Sequence, residues 1–328
     1  MDRWPLDPSS GEMPTIRTIR PTDFISLISF FRHDARCEVT APLWPDLRDG
    51  SDGRGSWGFL SRLITHGSSS QVWISFDGGG VSGLAVARPR AGKLAWDVEE
   101  LLVTQDCRSA VVDLLEHLCA EAARRGARRV FLVTRVDGDL ARTAGQAGFV
   151  QYTSETVYFS RSATVADREV PRRARPRLRQ DATALFHLYN AAVPCSVRSA
   201  EAMTVDEWLS LDRAPRLWTP SLGGSQRHFV WEGGNGLVGW LQVSLGASSR
   251  HLELLVRPGE RAALEEILVE ALNLAGSRTP AYVTVREYQA ELGSLLEGLG
   301  FRPVADHLVY SRQLTVRVPG RALVPARA

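Results

Sequence analysis

Two glutamates at matching positions of a repeated apolar pattern are the residues best placed to do chemistry. Glu100 opens the run Glu-Leu-Leu-Val at 100–103, and Glu253 opens the same run at 253–256. A glutamate in a half-buried cleft, where burial raises its pKa, can act in general acid–base chemistry. Alternation along a strand would instead place both carboxylates on a solvated face, and that alternative stays open. The chemistry of this pair therefore depends on the elements that position it.

The other residues that could do chemistry match no motif in the right context. The seven histidines form no i,i+4 pair and no metal-ligand spacing, and no serine stands in a Gly-x-Ser-x-Gly turn. His251 shares a strand with Glu253, although a structural role is the stronger interpretation for it. The stretch 78–83 has the letters of a dinucleotide motif, but it lies in a hairpin with no helix after it. We therefore predict no metal site and no dinucleotide site.

Composition and charge describe an ordinary globular protein. Of 328 residues, 44% are hydrophobic and 23% are charged, so each half of the chain can bury a core. A net charge of +2 lacks the basic excess of a nucleic-acid binder, and no apolar run is long enough to span a bilayer. The chain begins without the apolar segment of a signal peptide, and four cysteines at unrelated spacings suit a reducing compartment. We expect a cytoplasmic protein without nucleic-acid or membrane partners, and a homodimer is left open.

The chain repeats itself at the scale of a whole domain. Gly148-Phe149 returns as Gly300-Phe301, 152 positions later, and the stretch 81–84 is echoed at 237–241. A period this long indicates a duplicated domain and not a solenoid unit. The predicted division is a tail at 1–14, a first domain at 15–161, a linker at 162–174, a second domain at 175–313 and a tail at 314–328.

Both halves predict one order of elements: strand, helix, irregular region, hairpin, strand, helix, strand, helix, strand. The irregular regions are expected at about 36–66 and 193–220. The last strands are predicted at 156–160 and 307–312, and a short helix at 140–146 comes before the first of them.

This order, with a helix that closes on Gly-Phe before the last strand, resembles the GCN5-related N-acetyltransferase (GNAT) family. The resemblance rests on the Glu-Leu-Leu-Val strands, on the helices after them, and on the helix ends at 144–149 and 295–301. It covers 15–161 and 175–313, nearly the whole chain. It implies an α/β fold of two tandem GNAT-like domains, each with a central mixed, mostly antiparallel sheet flanked by helices.

The resemblance also implies a co-substrate, acetyl-CoA or another acyl-CoA, and no metal. In the family, the pantetheine arm adds to one strand like an extra strand, and the pyrophosphate sits at the amino end of the next helix. The family positions for these contacts fall on two matching sets of residues. In the first half they are Leu101, Leu102, Val103, Arg108, Ser109 and Ala110, and in the second half they are Leu254, Leu255, Val256, Arg261, Ala262 and Ala263.

The chain departs from the family at two kinds of position. The glycine-rich pyrophosphate turn is missing, because 105–124 contains no glycine and the second copy has only Gly259. The tyrosine that often serves as general acid is replaced by Ala144 in one half and Leu296 in the other. Both departures apply to both copies.

The function predicted from the resemblance is transfer of an acyl group from acyl-CoA to an amine of a small molecule or peptide. The family's base is often a glutamate of the pantetheine strand, which implies Glu100 and Glu253 here, with one half active. Tyr158 and Tyr310 share a position in the last strands and are interpreted as packing residues. The missing glycines and tyrosines favour an alternative, a catalytically inactive tandem GNAT-like protein that binds or scaffolds. A small-ligand sensor that uses the cleft between the halves is a third possibility.

Overall fold

The computed structural model describes residues 15–33, 35–40, 70–78, 80–90, 94–104, 108–136, 138–162, 173–210, 226–234, 236–245, 249–259, 261–276 and 279–315. The strands in this part of the chain are β1 Thr15–Thr18, β2 Ala35–Thr40, β3 Gln71–Asp77, β4 Gly80–Pro89, β5 Ala95–Thr104, β6 Arg129–Arg135, β7 Val150–Ser160, β8 Ala174–Pro176, β9 Gln226–Gly233, β10 Gly236–Leu245, β11 Arg250–Val256, β12 Ala281–Arg286 and β13 Arg302–Gln313. The helices are α1 Phe24–His33, α2 Arg108–Arg124, α3 Leu140–Thr143, α4 Ala182–Ala192, α5 Cys195–Glu201, α6 Val205–Ser210, α7 Arg261–Ala275 and α8 Ala290–Gly298. No helix within these ranges is long and apolar enough to cross a membrane.

The strands form one mixed, mostly antiparallel sheet. Its order is β1-β3-β4-β5-β6-β13-β7-β12-β11-β10-β9-β8, and β2 joins the edge of β5. The parallel pairs are β5 with β6 and β11 with β12, one in each half. Long helices and apolar cores lie on the sheet in both halves. This architecture confirms the predicted fold class, two GNAT-like copies built on a mixed sheet.

The two halves exchange their last strands. β7 from the first half lies between β12 and β13, and β13 from the second half lies between β6 and β7. The two exchanges have equivalent registers, since Glu155 lies opposite Arg286 and His307, 152 positions later, lies opposite Arg135. Glu155 and His307 also face each other across β7 and β13. An approximate twofold axis therefore passes between these two residues.

The exchange makes the last strands longer than the sequence pattern predicts. β7 begins at Val150 and β13 at Arg302, directly after the Gly-Phe pairs, whereas the predicted starts are 156 and 307. The additional residues pair with the exchanged strand; Gln151, for example, lies opposite Tyr310. The local pattern of one copy cannot reveal such a distant partner. The helix predicted at 140–146 is also shorter, ending at Thr143, because the chain then turns toward Gly148, whose φ is +71°.

The regions predicted as irregular contain regular elements where the structure describes them. β2 falls in the first region, and α5 and α6 fall in the second. Residues 41–66 and 211–220 of these regions, the predicted tail at 1–14, residues 316–328 of the predicted tail at 314–328 and most of the predicted linker lie outside the described residues. The division into two domains stays a prediction about the chain, because the strand exchange joins both halves in one sheet.

The exchanged strands complete the cores of the opposite halves. Tyr310 of β13 is buried in the core beneath α2, whereas Tyr158 of β7 packs against the core beneath α7. The Tyr158 hydroxyl donates a hydrogen bond to Glu297 Oε1 at 3.3 Å, and the Tyr310 hydroxyl lies 3.5 Å from the carbonyl oxygen of Ala141. These positions agree with the packing role predicted for both tyrosines.

A glycine on each hairpin brings the long helix close to the sheet. A Cβ added at Gly83 would lie 2.8 Å from Leu114 of α2, and one added at Gly239 would lie 2.9 Å from Ile267 of α7. A larger residue at either position would push the helix outward. The repeated glycines therefore set where the amino ends of α2 and α7 stand relative to the sheet.

Each half begins with the same arginine–aspartate clamp. Arg17 donates two hydrogen bonds to Asp23 at 2.7 and 2.6 Å, and Arg175 donates two to Asp181 at 2.7 and 2.8 Å. Both carboxylates also accept the backbone N–H three residues earlier, at 2.7 Å. The hydrogen bonds from the arginines outweigh the opposing effect of burial, so the pKa of each aspartate lies below its ordinary value.

We expect that neither half folds alone. A fragment of residues 1–161 leaves β6 without β13, and a fragment of residues 162–328 leaves β12 without β7, so each exposes a central edge and an incomplete core. Neither fragment should show a cooperative thermal transition by circular dichroism, whereas the mixed fragments should recover one. A cooperative transition of 1–161 alone, near the melting temperature of the full chain, would contradict the exchange.

The clamp predicts a pH-dependent loss of stability in Asp181→Asn. A lowered pKa in the folded state stabilises the fold above the unfolded-state pKa of about 3.9, and this stabilisation is lost as the pH falls through the folded-state pKa. The free energy of unfolding at pH 7 should therefore fall by about 2 kcal/mol, with a much smaller difference at pH 3. Urea denaturation at both pH values measures this. The exposed Asp206→Asn is the control, and an equal effect of Asp181→Asn at both pH values would refute the linkage.

Candidate functional site

In the second half, two parallel strands separate and leave a strand edge open. β11 pairs with β12 over 250–253 but continues to Val256. On its other side β11 stays paired with β10, where Leu255 lies opposite Trp240. Among the described residues, no strand covers 254–256 on the β12 side. Such an edge presents backbone donors and acceptors to a ligand that adds as a strand.

In the first half, the equivalent edge is covered by the chain itself. β2 pairs antiparallel with 100–104 of β5, with Cys37 opposite Leu102. Since β4 occupies the other side of β5, β2 lies on the β6 side, within the gap between β5 and β6. Leu101, Leu102 and Val103, which the resemblance assigns to the pantetheine arm, therefore already have a strand along that edge.

Within the described part of the chain, the side chain of Gln289 reaches the open edge of the second half. Gln289, three residues after the end of β12, donates from Nε2 to the carbonyl oxygen of Leu254 at 2.7 Å. Its Oε1 accepts the backbone N–H of Arg286 at 3.1 Å. Gln289 thus bridges the two separating strands. Three residues after the end of β6 stands Gly138, which has no side chain for this bridge.

The helices that follow the repeated strands begin next to these edges. The chain turns into α7 at Gly259, whose φ is +92° and where an added Cβ would meet no atom within 4 Å. The first N–H groups of a helix have no partner within the helix and can bind an anion. Of the residues predicted to contact the pyrophosphate, Ser109 is exposed, Ala110 is buried and Ala263 is half-buried. The side chains of Arg108, Arg261 and Ala262 lie outside the described residues.

Glu253 lies beside the open edge, on the sheet face that carries α4. Its neighbours Leu252 and Leu254 point to the opposite face, into the core beneath α7. The Glu253 side chain is 42% exposed, and its Oε1 lies 3.9 Å from Nδ1 of His251. Nε2 of His251 shares a hydrogen bond of 2.7 Å with the hydroxyl of Thr284. Burial lowers the pKa of His251, against the opposing charges of Glu253 and Glu155, which favours a neutral imidazole.

Glu100 lies beside the covered edge instead. It is half-buried and stands opposite Thr40 of β2. The preceding Glu99 lies 3.0 Å from Arg88 and accepts a hydrogen bond from Ser70 at 3.0 Å. The structure thus separates the two predicted glutamates by their surroundings, and a catalytic role for either one stays a prediction.

A buried polar cluster lies next to Glu253, on the approximate twofold axis. Arg286 Nε is 3.1 Å from Glu155 Oε2, and Glu155 Oε1 is 3.7 Å from His307 Nδ1. Burial raises the pKa of Glu155, but the charges of Arg286 and His307 outweigh burial and hold that pKa below its ordinary value. Only 3% of the His307 side chain is exposed, and neither ring nitrogen has a hydrogen-bond partner in the described structure.

Glu201 at the end of α5 extends this cluster toward the helices. It accepts a hydrogen bond from the hydroxyl of Tyr189 at 2.7 Å and one from the hydroxyl of Tyr152 at 3.4 Å. Arg286 Nη1 lies 4.0 Å from Glu201 Oε1. Burial raises the pKa of Tyr288 to about 12, although Arg286 opposes this.

The positions of the family's usual tyrosine are apolar core positions. Ala144 is fully buried in the core beneath α2, and Leu296 is fully buried in the core beneath α7. Neither can supply an acid to the gap between the strands. The described residues contain no group of three or more histidine, cysteine, aspartate or glutamate side chains that could hold a metal ion.

The sequence analysis missed the residues that border the open edge from β12 and β7. Arg135 and Arg286 end equivalent strands, and Glu155 and His307 are equivalent positions, so a longer comparison of the two copies could have found both pairs. Gln289 carried no signal, because its bond depends on the turn after β12.

Three solved structures share the architecture along nearly their whole length. The first is a GCN5-related N-acetyltransferase from Sphaerobacter thermophilus, with 16% identity, a TM-score of 0.53 and coverage of 94% of this chain and 98% of that one. The second is a tandem GNAT protein from the clavulanic acid biosynthesis pathway, with 14% identity, a TM-score of 0.51 and coverage of 92% and 98%. The third is a putative acetyltransferase from Pyrococcus horikoshii, with 13% identity, a TM-score of 0.50 and coverage of 96% and 94%.

Comparisons of sequence alone give no such relatives. No family model matches the chain, and no curated protein is similar enough in sequence to match it. At identities this low, the likeness to the solved structures concerns the fold. In both halves, and over most of its length, this chain has the tandem GNAT fold.

Proposed function

We propose that this protein is an acyl-CoA-dependent N-acyltransferase, with acetyl-CoA as the simplest donor, and that its second half carries out the reaction. The observation that carries the proposal is the open edge of β11 at 254–256. This edge lies between the amino end of α7 and the carboxylate of Glu253. The first half lacks such an edge because β2 covers it.

The donor would bind through the backbone of the second half. The pantetheine arm would add to Leu254, Leu255 and Val256 as a strand, and the pyrophosphate would sit on the N–H groups of Arg261, Ala262 and Ala263. Gly259 leaves room at this turn, since no atom lies within 4 Å of an added Cβ. A helix terminus binds an anion without a glycine cradle, so the missing glycines are compatible with this arrangement.

The acceptor amine would approach from the face that carries α4. A primary amine is mostly protonated near neutral pH. Such an amine must lose a proton before its nitrogen can attack the thioester carbonyl. Glu253, half-exposed on this face, is placed to take that proton, with the imidazole of His251 behind it.

The first half would then serve as a scaffold and as a source of side chains. Its exchanged strand β7 brings Glu155 and Tyr152 to the second half's gap. This division of labour retains part of the scaffolding alternative, now confined to one half.

We place the reaction in the cytoplasm, also as a proposal. Within the described residues, Cys119 and Cys195 are free, and burial raises the pKa of Cys119 to about 11. Free thiols of this kind suit a reducing compartment.

The donor site can be tested with a matched pair of helix-start variants, Ala262→Asp and Ser109→Asp. Both place a carboxylate at the second position of a helix, where the helix dipole tolerates it, but only Ala262→Asp would repel the pyrophosphate. We expect calorimetric titration with acetyl-CoA to show about tenfold weaker binding for Ala262→Asp and unchanged binding for Ser109→Asp. Loss of binding in Ser109→Asp alone would move the site to the first half, and no binding by the unaltered protein would refute the proposal.

The base can be tested with the variants Glu253→Gln and Glu100→Gln. The assay measures the free CoA thiol that is released when a primary amine is acylated, and it uses an amine that the unaltered protein accepts. Glu253→Gln should lower kcat about 100-fold or more, because the amide cannot accept the proton. Glu100→Gln should keep the kcat of the unaltered protein. Equal rates in both variants and in the unaltered protein would exclude glutamate as the base.

A further inference from the structure

We propose that Gln289 is a displaceable latch, which holds the edge of β11 until the pantetheine arm of an acyl-CoA takes its place. This inference rests on the proposed function of the second half. The Gln289 side chain lies in the gap between β11 and β12, and it hydrogen-bonds to both strands.

The bond to β11 is of the kind that the donor would need. Gln289 Nε2 is an amide N–H donor, and it lies 2.7 Å from the carbonyl oxygen of Leu254. Pantetheine also carries amide N–H groups, and a ligand that adds as a strand pairs them with backbone carbonyl oxygens. Leu254 lies in the part of β11 beyond its pairing with β12. A glutamine amide and a pantetheine amide would therefore compete for one backbone acceptor.

The carbonyl oxygen of the same side-chain amide keeps the latch in place. Gln289 Oε1 accepts the backbone N–H of Arg286 at 3.1 Å, and this bond fixes the amide so that its NH₂ group points at Leu254. Displacement from Leu254 can leave this bond intact, since it uses a different atom. The latch can thus open by rotation of one side chain, without movement of a strand.

The first half shows the alternative means of closing the same edge. There the third residue after the end of β6 is Gly138, and β2 pairs with β5 from Glu100 to Thr104. Removal of β2 would break several backbone hydrogen bonds together, whereas release of Gln289 breaks one neutral hydrogen bond. One such bond changes an equilibrium constant only about fivefold. The second half is thus closed weakly enough for a ligand to open it.

Gln289→Ala, with Gln313→Ala as its control, tests the latch by titration of the full-length protein with acetyl-CoA. Gln313 also bonds a backbone carbonyl oxygen through Nε2, that of Ala200 at 3.5 Å, and it lies on another strand. We expect the Kd of Gln289→Ala to be about fivefold lower than that of the unaltered protein, because the donor no longer displaces an amide. The Kd of Gln313→Ala should be unchanged.

A second measurement follows the binding of acetyl-CoA to the unaltered protein and does not depend on binding by a variant. In the ¹⁵N-labelled unaltered protein, the side-chain NH₂ signal of Gln289, identified by its absence from Gln289→Ala, should shift when acetyl-CoA saturates the site. A signal that stays in place at saturation, or equal Kd values for Gln289→Ala and the unaltered protein, would overturn the latch while leaving the proposed function intact. No binding of acetyl-CoA to any of the proteins would overturn the proposed function and the latch with it.

Discussion

The exchange of β7 and β13 is the constraint on which the rest of the structure depends. In each half the parallel pair, β5 with β6 or β11 with β12, diverges toward its end, and the inner strand of that pair needs an antiparallel partner on its other side. The opposite half supplies this partner, so two sheet edges are closed and each core is completed by a tyrosine from the other copy. Neither half can therefore shift its last strand without disturbing the other, and residues of the first half border the gap of the second.

The exchange also dictates what can stand on the twofold axis. Away from the axis, each residue meets a different part of the other copy, but Glu155 and His307 occupy equivalent positions and face each other. Had the copies stayed identical here, the axis would bring together two buried residues of one kind, and two facing carboxylates would repel. The copies instead carry a carboxylate and an imidazole, and Arg286 adds the charge that keeps Glu155 ionised despite burial. Divergence at this position avoids that repulsion, and it places an ionised cluster beside Glu253.

The sequence predicts the parts of the fold that repeat, because each repeated pattern occurs in two copies and both indicate the same element. The order of elements agrees with the structure. The failures occur where the two copies touch or differ. Residues 150–155 pair with a strand from the other copy, and β2 pairs with the edge that β5 leaves open beside β6. The local sequence of neither segment therefore indicates that it forms a strand. The same reason explains the site: Glu253 follows from the pattern, whereas Gln289 and Arg286 acquire their positions only when β11 and β12 separate in space.

The asymmetry between the two edges has its origin in one segment, the stretch that follows the first helix of each half. In the first half, this stretch returns as β2 and fills the gap beside β5. In the second half, the corresponding stretch contains α5 and α6, which pack on the face of the sheet, and α5 ends at Glu201, whose carboxylate accepts the hydroxyl of Tyr189. A strand forms hydrogen bonds with the backbone N–H and C=O groups at the edge and thereby covers it. Helices form their backbone hydrogen bonds internally, so they leave these edge groups available to a side chain such as that of Gln289. The conformation of this one segment therefore decides whether the strand edge is covered, as in the first half, or open, as in the second. The Glu-Leu-Leu-Val sequence of that strand is the same in both halves.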